Sequence, residues 1–417
     1  MFKLPFSKST SSDVQPPPNS NMLSIDIGTE ILKVVLFNAN PHGINIHKVA
    51  RIQQQQSAMS KGQIQNLNTV LENCDLAISE ITSGLEPNEM PTHVVMGIAG
   101  EYIQGVSIIV NYEREAKFDN EVTKEEEEKI ISKVHEQIIN EGKNDLAART
   151  GLVHEDIEIL HITVTGMEIG GMNVNTLVGF RGKSVKLYFY ASFAPKTYVE
   201  SLKKIADALK LQMIGVVAQP FAVARAYGDA RRSDFSAIFV DIGGGTTDIA
   251  VVDHGNVLDT QMFAFGGRAF TKEIAKGMNL DYRHAESRKR KYSNNDLESK
   301  VHSEVKQIVY PTTELWMKTF AAALGEIEDV DVFPPQIYLC GGGAMLPDIK
   351  NVMLEYPWTK LLPFAKIPKV NIFLPDRLSG VTDHTGDLAH PYDVTPVAIA
   401  RFAYDKFTNP ENYYKGS

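Results

Sequence analysis

Apolar positions along the chain fall into short blocks of two kinds. Residues 23–27, 33–38 and 44–51 follow one another with the turns and alternation of a three-strand meander. Residues 66–83 instead repeat Leu67, Val70, Leu71, Cys74, Ile78 and Ile81 at helical spacing, and 93–98 predict the next strand. A similar order returns later. Residues 237–241 read as a buried strand with 248–252 as hairpin partner. Helices follow near 270–277, 282–291 and 296–324, then a strand at 336–340, a helix at 346–355 and a closing helix near 395–407. Both meanders carry Asp-Ile-Gly at the first turn, at 26–28 and 241–243. This shared triplet predicts a duplicated α/β domain.

Between the two meanders the pattern changes. Residues 101–187 hold a charged helix around 124–139 flanked by strand-like runs at 106–110, 157–164 and 185–191, and they read as a compact insertion. A helix (198–209), a strand (213–217) and a helix opening at Pro220 follow. Ser, Pro and Asn dominate 9–21, which makes a linker behind a short tip, residues 1–8. The predicted division is a tip and linker (1–21), a first half (22–100 and 188–235) interrupted by the insertion, a second half (236–405) with a small lobe at about 268–330, and a polar tail (406–417).

Composition narrows the function classes. A formal net charge of -9 leans against a dedicated nucleic-acid binder, which needs a basic face. The two cysteines, Cys74 and Cys340, lie far apart and suggest neither zinc site nor disulfide framework; a reducing cytoplasm is the expected compartment. No apolar run reaches the roughly 18–20 residues of a membrane-spanning helix. The tip lacks the apolar core of a secretory signal. With Met1, Phe2, Leu4 and Phe6 beside Lys3 and Lys8, it reads either as a disordered start or as a weak peripheral membrane contact.

The chemistry concentrates at turns. Asp241-Ile242-Gly243-Gly244-Gly245-Thr246-Thr247-Asp248 joins two apolar strands. Three successive glycines cost backbone entropy but allow N–H groups to converge on phosphate oxygens. Thr246 and Thr247 add hydroxyl donors, and Asp241 at the strand end suits Mg²⁺ held through water. Asp26-Ile27-Gly28-Thr29, with Lys33 on the returning strand, gains its value from the pairing: two such turns face to face clamp a polyphosphate, with Asp26 as the second water-mediated metal carboxylate. A third segment, Cys340-Gly341-Gly342-Gly343-Ala344-Met345, lets a flat ring approach the backbone between a strand and a helix. Gln219, ahead of Pro220, reads either as a water-positioning amide or as an ordinary residue at a helix start.

The order of these segments resembles the phosphate 1, phosphate 2 and adenosine pattern of the actin-like ATPase superfamily. Residues 239–251 are similar almost letter for letter to the phosphate 2 segment of the bacterial cell-division FtsA family. Gly266-Gly267 with 271–277, Ala285-Glu286 with Lys289, the late Leu378-Ser379-Gly380-Val381-Thr382-Asp383, and Val178-Gly179-Phe180-Arg181-Gly182 are also similar to that family. The resemblance spans about residues 22–405. It implies an α/β, actin-like fold built from ribonuclease H-like duplicated domains, with an FtsA-type inserted subdomain. It implies ATP and Mg²⁺ as cofactors and at most slow hydrolysis. Asp26, Gly28, Thr29, Lys33, Gly243, Gly244, Gly245, Thr246, Thr247, Gly267, Glu286, Lys289, Gly342, Gly343 and Met345 would line the nucleotide, with Gln219 and Asp241 at the reacting end.

Two departures shape the expected role. Residues 292–296 lead almost directly into the long helix, where FtsA carries a β-hairpin, so the small lobe is reduced and the related pilus-assembly PilM family becomes an alternative. The last residues also lack FtsA's amphipathic membrane helix. The expected function is a nucleotide-dependent scaffold at the inner face of the membrane, partnered by itself (filament or dimer) and by a division or pilus protein. A kinase on this fold would need a catalytic Asp base near the phosphate site, and the stretch between the insertion and Gln219 offers no strong candidate. A chaperone-type ATPase would need a substrate domain, and only 74 residues follow Gly343.

Overall fold

The computed structural model describes residues 20–100, 102–114, 119–228, 234–327, 330–355, 357–408 and 413–414. The tip and nearly all of the linker therefore lie outside the described residues.

The chain begins with the meander β1 (Met22–Ile27), β2 (Ile31–Asn40) and β3 (Gly43–Gln53). A small hairpin follows, β4 (Met59–Ser60) and β5 (Gln63–Ile64), then α1 (Leu67–Thr82) and β6 (His93–Ile98). Asn66 starts α1 by accepting from the Thr69 amide at 3.1 Å, and helical spacing buries Val70, Cys74, Ala77 and Ile81.

Next come β7 (Gln104–Glu113), α2 (Lys124–Thr150), β8 (Ile157–Ile169), β9 (Met172–Val174) and β10 (Ser184–Pro195). They make a separate sheet in the order β7–β10–β8, with β9 hairpinned onto β8. Helix α2 covers one face and shares a core with Ile162, Val164, Leu187 and Phe189. It runs well past the expected 139. Gly142 lies within it, where a side chain would meet the Phe193 ring, and the helix ends on left-handed Gly151. The sheet also outruns the expected boundary at 187: β10 stays paired with β8 to Pro195.

The chain returns to the first half as α3 (Lys196–Ala208), β11 (Gln212–Ala218) and α4 (Gln219–Ala226). The second half opens with β12 (Ala237–Ile242), β13 (Thr247–Asp253) and β14 (Asn256–Phe263). Helices α5 (Gly267–Met278), α6 (Tyr282–Ser293) and α7 (Ser299–Gly325) follow without an intervening strand among the described residues. The remainder is β15 (Gln336–Cys340), a 3-10 turn Gly342–Met345, α8 (Pro347–Glu355), β16 (Lys369–Ile372), β17 (Val381–Asp383), α9 (Val394–Thr408) and β18 (Tyr413–Tyr414).

Duplication is visible in the sheets. The first has the order β11–β6–β1–β2–β3 and the second β16–β15–β12–β13–β14, each an antiparallel meander whose first strand pairs in parallel with the next strand. This is the actin-like arrangement expected from the sequence.

The last part of the chain does not stay with the second half. β17 pairs in parallel with β3, and α9 packs on β1, β2 and α4, so 381–408 complete the first half. Val394, Val397, Ala398, Ile399 and Ala403 share one core with Val35, Phe37 and Phe221, a core that Phe239 and Phe373 of the second half also enter. The expected polar tail is also corrected. Residues up to Thr408 continue α9, where Lys406 donates to the Ile214 carbonyl at 2.9 Å, and Tyr413–Tyr414 pairs with Ile162 and Thr163 at the edge of the inserted sheet.

Candidate functional site

Parallel strands collect ligand sites at their carboxyl ends. Here Asp26 stands one residue before the end of β1 and Asp241 one residue before the end of β12. Register puts Asp26 beside Gly97 and opposite Lys33, and Asp241 beside Cys340 and opposite Asp248.

Each carboxylate is buried and oriented. Lys33 Nζ lies 2.7 Å from Asp26 Oδ2, and Gln219 Nε2 donates to Asp26 Oδ1 at 2.9 Å. The Thr395 hydroxyl at the start of α9 donates to Asp241 Oδ2. Burial pushes the Asp241 carboxyl up and Asp26 adds to the push, while Thr395 and Lys33 oppose it. Asp248 is pushed up to about 8 by burial and then by Asp241. Three acidic side chains thus crowd a buried place with one lysine. Among the described residues no three His, Cys, Asp or Glu side chains converge so as to ligate a metal directly, so a divalent cation relieving this crowding would have to be held through water.

None of Gly243, Gly244 and Gly245 adopts a left-handed φ. Their glycine identity answers a different need, close approach of the first half. A side chain at Gly244 would come within 2.5 Å of Glu30 Cγ, and one at Gly245 within 2.8 Å of Thr29 Oγ1. The turn closes on itself by the Gly243 amide donating to the Thr246 carbonyl at 2.9 Å. The carbonyls of Gly243 and Gly244 accept from the amides of Gly267 and Arg268 at the start of α5. The Gly244 and Gly245 amides make no backbone–backbone hydrogen bond among the described residues, which leaves them as donors for an anion.

Thr246 Oγ1 donates to Asp248 Oδ2 at 3.0 Å. Thr247, expected as a donor to phosphate, is instead committed within the second half. Its hydroxyl donates to the Phe265 carbonyl at 2.7 Å and accepts from Trp316 Nε1 at 3.0 Å, and it is fully buried.

Glu286 and Lys289 pair at 2.7 Å on α6, and Lys289 also donates to the Gly267 carbonyl at 3.1 Å, which ties the pair to the start of α5. Burial pushes the Glu286 carboxyl up, but Lys289 and the Thr271 hydroxyl more than offset it and hold it down. Tyr292 on the same helix donates to Asp348 on α8 at 2.7 Å, so α6 docks beside the 342–345 turn. Gly342 is exposed with open space around it, Met345 is half-buried, and Gly343 is buried against Ile242. Gly28 is packed tightly, since a side chain there would meet the Ile31 carbonyl at 2.4 Å.

Sequence reasoning missed Glu30, Arg268, Tyr282 and Thr395. Arg268 alone had a local signal, a cation in the first turn of a helix, where the macrodipole disfavours it.

Comparison with known proteins follows the same lines. Residues 238–388 match the family model described as cell division protein FtsA. The chain is 26% identical over 257 residues to cell division protein FtsA of Neisseria meningitidis, a match covering 61% of this chain and 57% of that one. It is 21% identical over 420 residues to FtsA of Enterococcus hirae, covering 90% and 86%. Among solved structures, the PilM-PilN type IV pilus biogenesis complex superposes with a TM-score of 0.64 at 15% identity, covering 93% of this chain and 99% of that chain. The ethanolamine utilization protein EutJ of Carboxydothermus hydrogenoformans gives 0.51 at 16% identity, covering 95% and 94%.

Proposed function

We propose that this chain, an actin-like protein related in sequence to FtsA and in fold to PilM, binds ATP with Mg²⁺ between its two halves and uses the bound state to control assembly. The observation that carries the reading is the pairing of Asp26 and Asp241 at equivalent strand ends, close enough to perturb one another, beside a turn with two uncommitted amides. In this reading Asp26 and Asp241 hold the hydrated cation. The turn at 243–246 and Thr29 bind phosphate oxygens. Lys33 balances charge, Glu286 and Lys289 reach the nucleoside, and the 342–345 turn receives the base. Gln219, held on Asp26, orients an attacking water without removing its proton, so turnover is slow.

The cellular role that fits is a cytoplasmic scaffold of bacterial cell division at the inner face of the membrane, joined to itself and to a division protein. No helix among the described residues is long and apolar enough to cross a membrane. Recruitment through residues 1–8, with Phe2, Leu4 and Phe6 beside Lys3 and Lys8, or through a partner on the inserted sheet fits this role. A second reading, a component of pilus assembly, is favoured by the direct passage from α6 to α7. Depletion separates them: filamentous cells support division, loss of pili with normal septa supports the pilus reading.

Calorimetry on the full chain tests the site. Mg-ATP binds the wild type, and Asp241→Ala abolishes binding while the circular dichroism spectrum is kept. Unchanged affinity in that variant overturns the assignment.

A further inference from the structure

The β1–β2 turn packs the stem of an acidic side chain against the glycine triplet. Glu30 Cγ lies 2.5 Å from where a side chain on Gly244 would begin, and the Glu30 side chain is only 11% exposed. It is gripped from the opposite half of the molecule. Arg268 Nε and the Tyr282 hydroxyl both donate to Glu30 Oε1, the latter at 3.0 Å. The same guanidinium donates to the Met59 carbonyl at 2.7 Å and the Thr29 carbonyl at 2.9 Å. One arginine of α5 thus joins the second half to the β1–β2 turn and to the β4–β5 hairpin. Nothing in α5 itself rewards a cation there, since the first helical turn carries partial positive charge. The acceptors of the first half hold it.

The stem of Glu30 packs on Gly244, whose amide makes no backbone hydrogen bond among the described residues, so an anion approaching that amide approaches a carboxylate already held by the second half. We propose that Glu30 is a built-in competitor of the nucleotide's terminal phosphate, latched over the glycine turn by Arg268 and Tyr282. This inference rests on the nucleotide reading given above. A phosphate entering the turn approaches this like charge and must displace it. Arg268 is the natural beneficiary, because a guanidinium exchanges a carboxylate for a phosphate through the same paired N–H geometry. The exchange takes Arg268 off Glu30 and leaves only its bonds to the Met59 and Thr29 carbonyls, so entry of the phosphate and release of the carboxylate are one event. Glu30 slows loading of the cleft, and its ion pair sets how tightly the two phosphate turns are closed before loading.

The test is stopped-flow binding of a fluorescent ATP analogue with Mg²⁺ to the full chain, alongside hydrogen exchange without nucleotide. Glu30→Gln keeps the shape and removes the charge. Association should be at least about tenfold faster and binding tighter by a similar factor. Arg268→Met should also speed association but weaken binding, because the phosphate loses its new partner. In the nucleotide-free protein, Glu30→Gln should speed amide exchange at 58–62 and 243–246. Binding with wild-type rates in Glu30→Gln overturns the competitor while leaving the nucleotide site intact. Absence of binding in both wild type and variant overturns the nucleotide reading and the competitor with it. Unchanged exchange overturns the latch, whatever the nucleotide does.

Discussion

Lys33 and Asp26 face each other across the β1–β2 hairpin as an ion pair of 2.7 Å, with side chains 11% and 4% exposed. Burial alone would lower the lysine pKa, but Asp26 chiefly, then Asp241 and Asp393, raise it. The lysine therefore stays charged in the folded protein. Gln219 occupies the other oxygen of Asp26 at 2.9 Å. A carboxylate held at both oxygens is well oriented but poorly free to enter a metal's inner shell, which agrees with a contact through water.

Lys33→Met removes the counter-charge and leaves Asp26 buried with one neutral donor. Breaking a buried pair in this way costs about 3–5 kcal/mol. The urea midpoint should fall accordingly, and Lys33→Met combined with Asp26→Asn should regain part of the loss. A midpoint within error of wild type would show that the pair does not help hold the hairpin.

Gln219→Ala tests the role of the amide. Phosphate release by the wild type should be far slower than the roughly 1–100 s⁻¹ of kinases. The variant should fall at least about tenfold further, with ATP affinity unchanged, as expected when an interaction acts only in the transition state. Equal turnover in the two proteins would reduce Gln219 to a helix-start residue.

Gly341 has φ +81°, and a side chain there would come within 2.2 Å of Asp241 Oδ1 and 2.5 Å of the Ile242 carbonyl. Gly341→Ala is thus opposed by conformation and by space. Destabilisation above about 1 kcal/mol is expected, with weaker Mg-ATP binding because Asp241 must move. Gly342→Ala is the control. It has open space and no left-handed φ, and its midpoint should stay near wild type.

His161 gives a pH dependence of known sign. Burial first, and Lys406 second, push it from 6.5 down to about 3. The unfolded chain therefore takes up a proton at this position near pH 6.5, which the folded chain takes up only near pH 3. The stability it contributes is complete above that upper value and is lost as pH falls, by about 2 kcal/mol at pH 5. His161→Phe suits a site already packed by Tyr190, Phe221 and Phe402. Urea midpoints of wild type and variant should diverge between pH 7 and pH 5, with the variant losing less. Parallel curves would place the titration elsewhere.

Much of the frame was legible because its signals are local. The Asp-Ile-Gly turns marked both meanders, and the helical spacing of Leu67, Val70, Leu71, Cys74, Ile78 and Ile81 marked α1. Long-range partners left no such trace. Glu30 and Arg268 are 238 residues apart, and Thr395 and Asp241 are 154 apart, so neither pair has a spacing to read. The glycine triplet was located correctly, but the reason for three glycines lies in Thr29 and Glu30 on the other half. Likewise α9 reads only as a buried helix, and nothing in its pattern says which half buries it. Thr247 sits in the motif beside a true turn, yet Trp316, far along the chain, claims its hydroxyl.

The inserted sheet is fastened to both halves. It is continuous with the first through β10 and α3, and it leans on β14 of the second. There Ser107 donates to the Val257 carbonyl at 2.7 Å, the Tyr190 and Thr260 hydroxyls meet at 3.1 Å, and Gly105 leaves no space for a side chain beside Thr260. Two bodies joined only at a hinge swing freely, whereas a third member fixed to each turns the hinge into a braced frame. Rotation of one half against the other would shear the seam along β14, so that seam opposes the motion at a surface remote from Asp26 and Asp241.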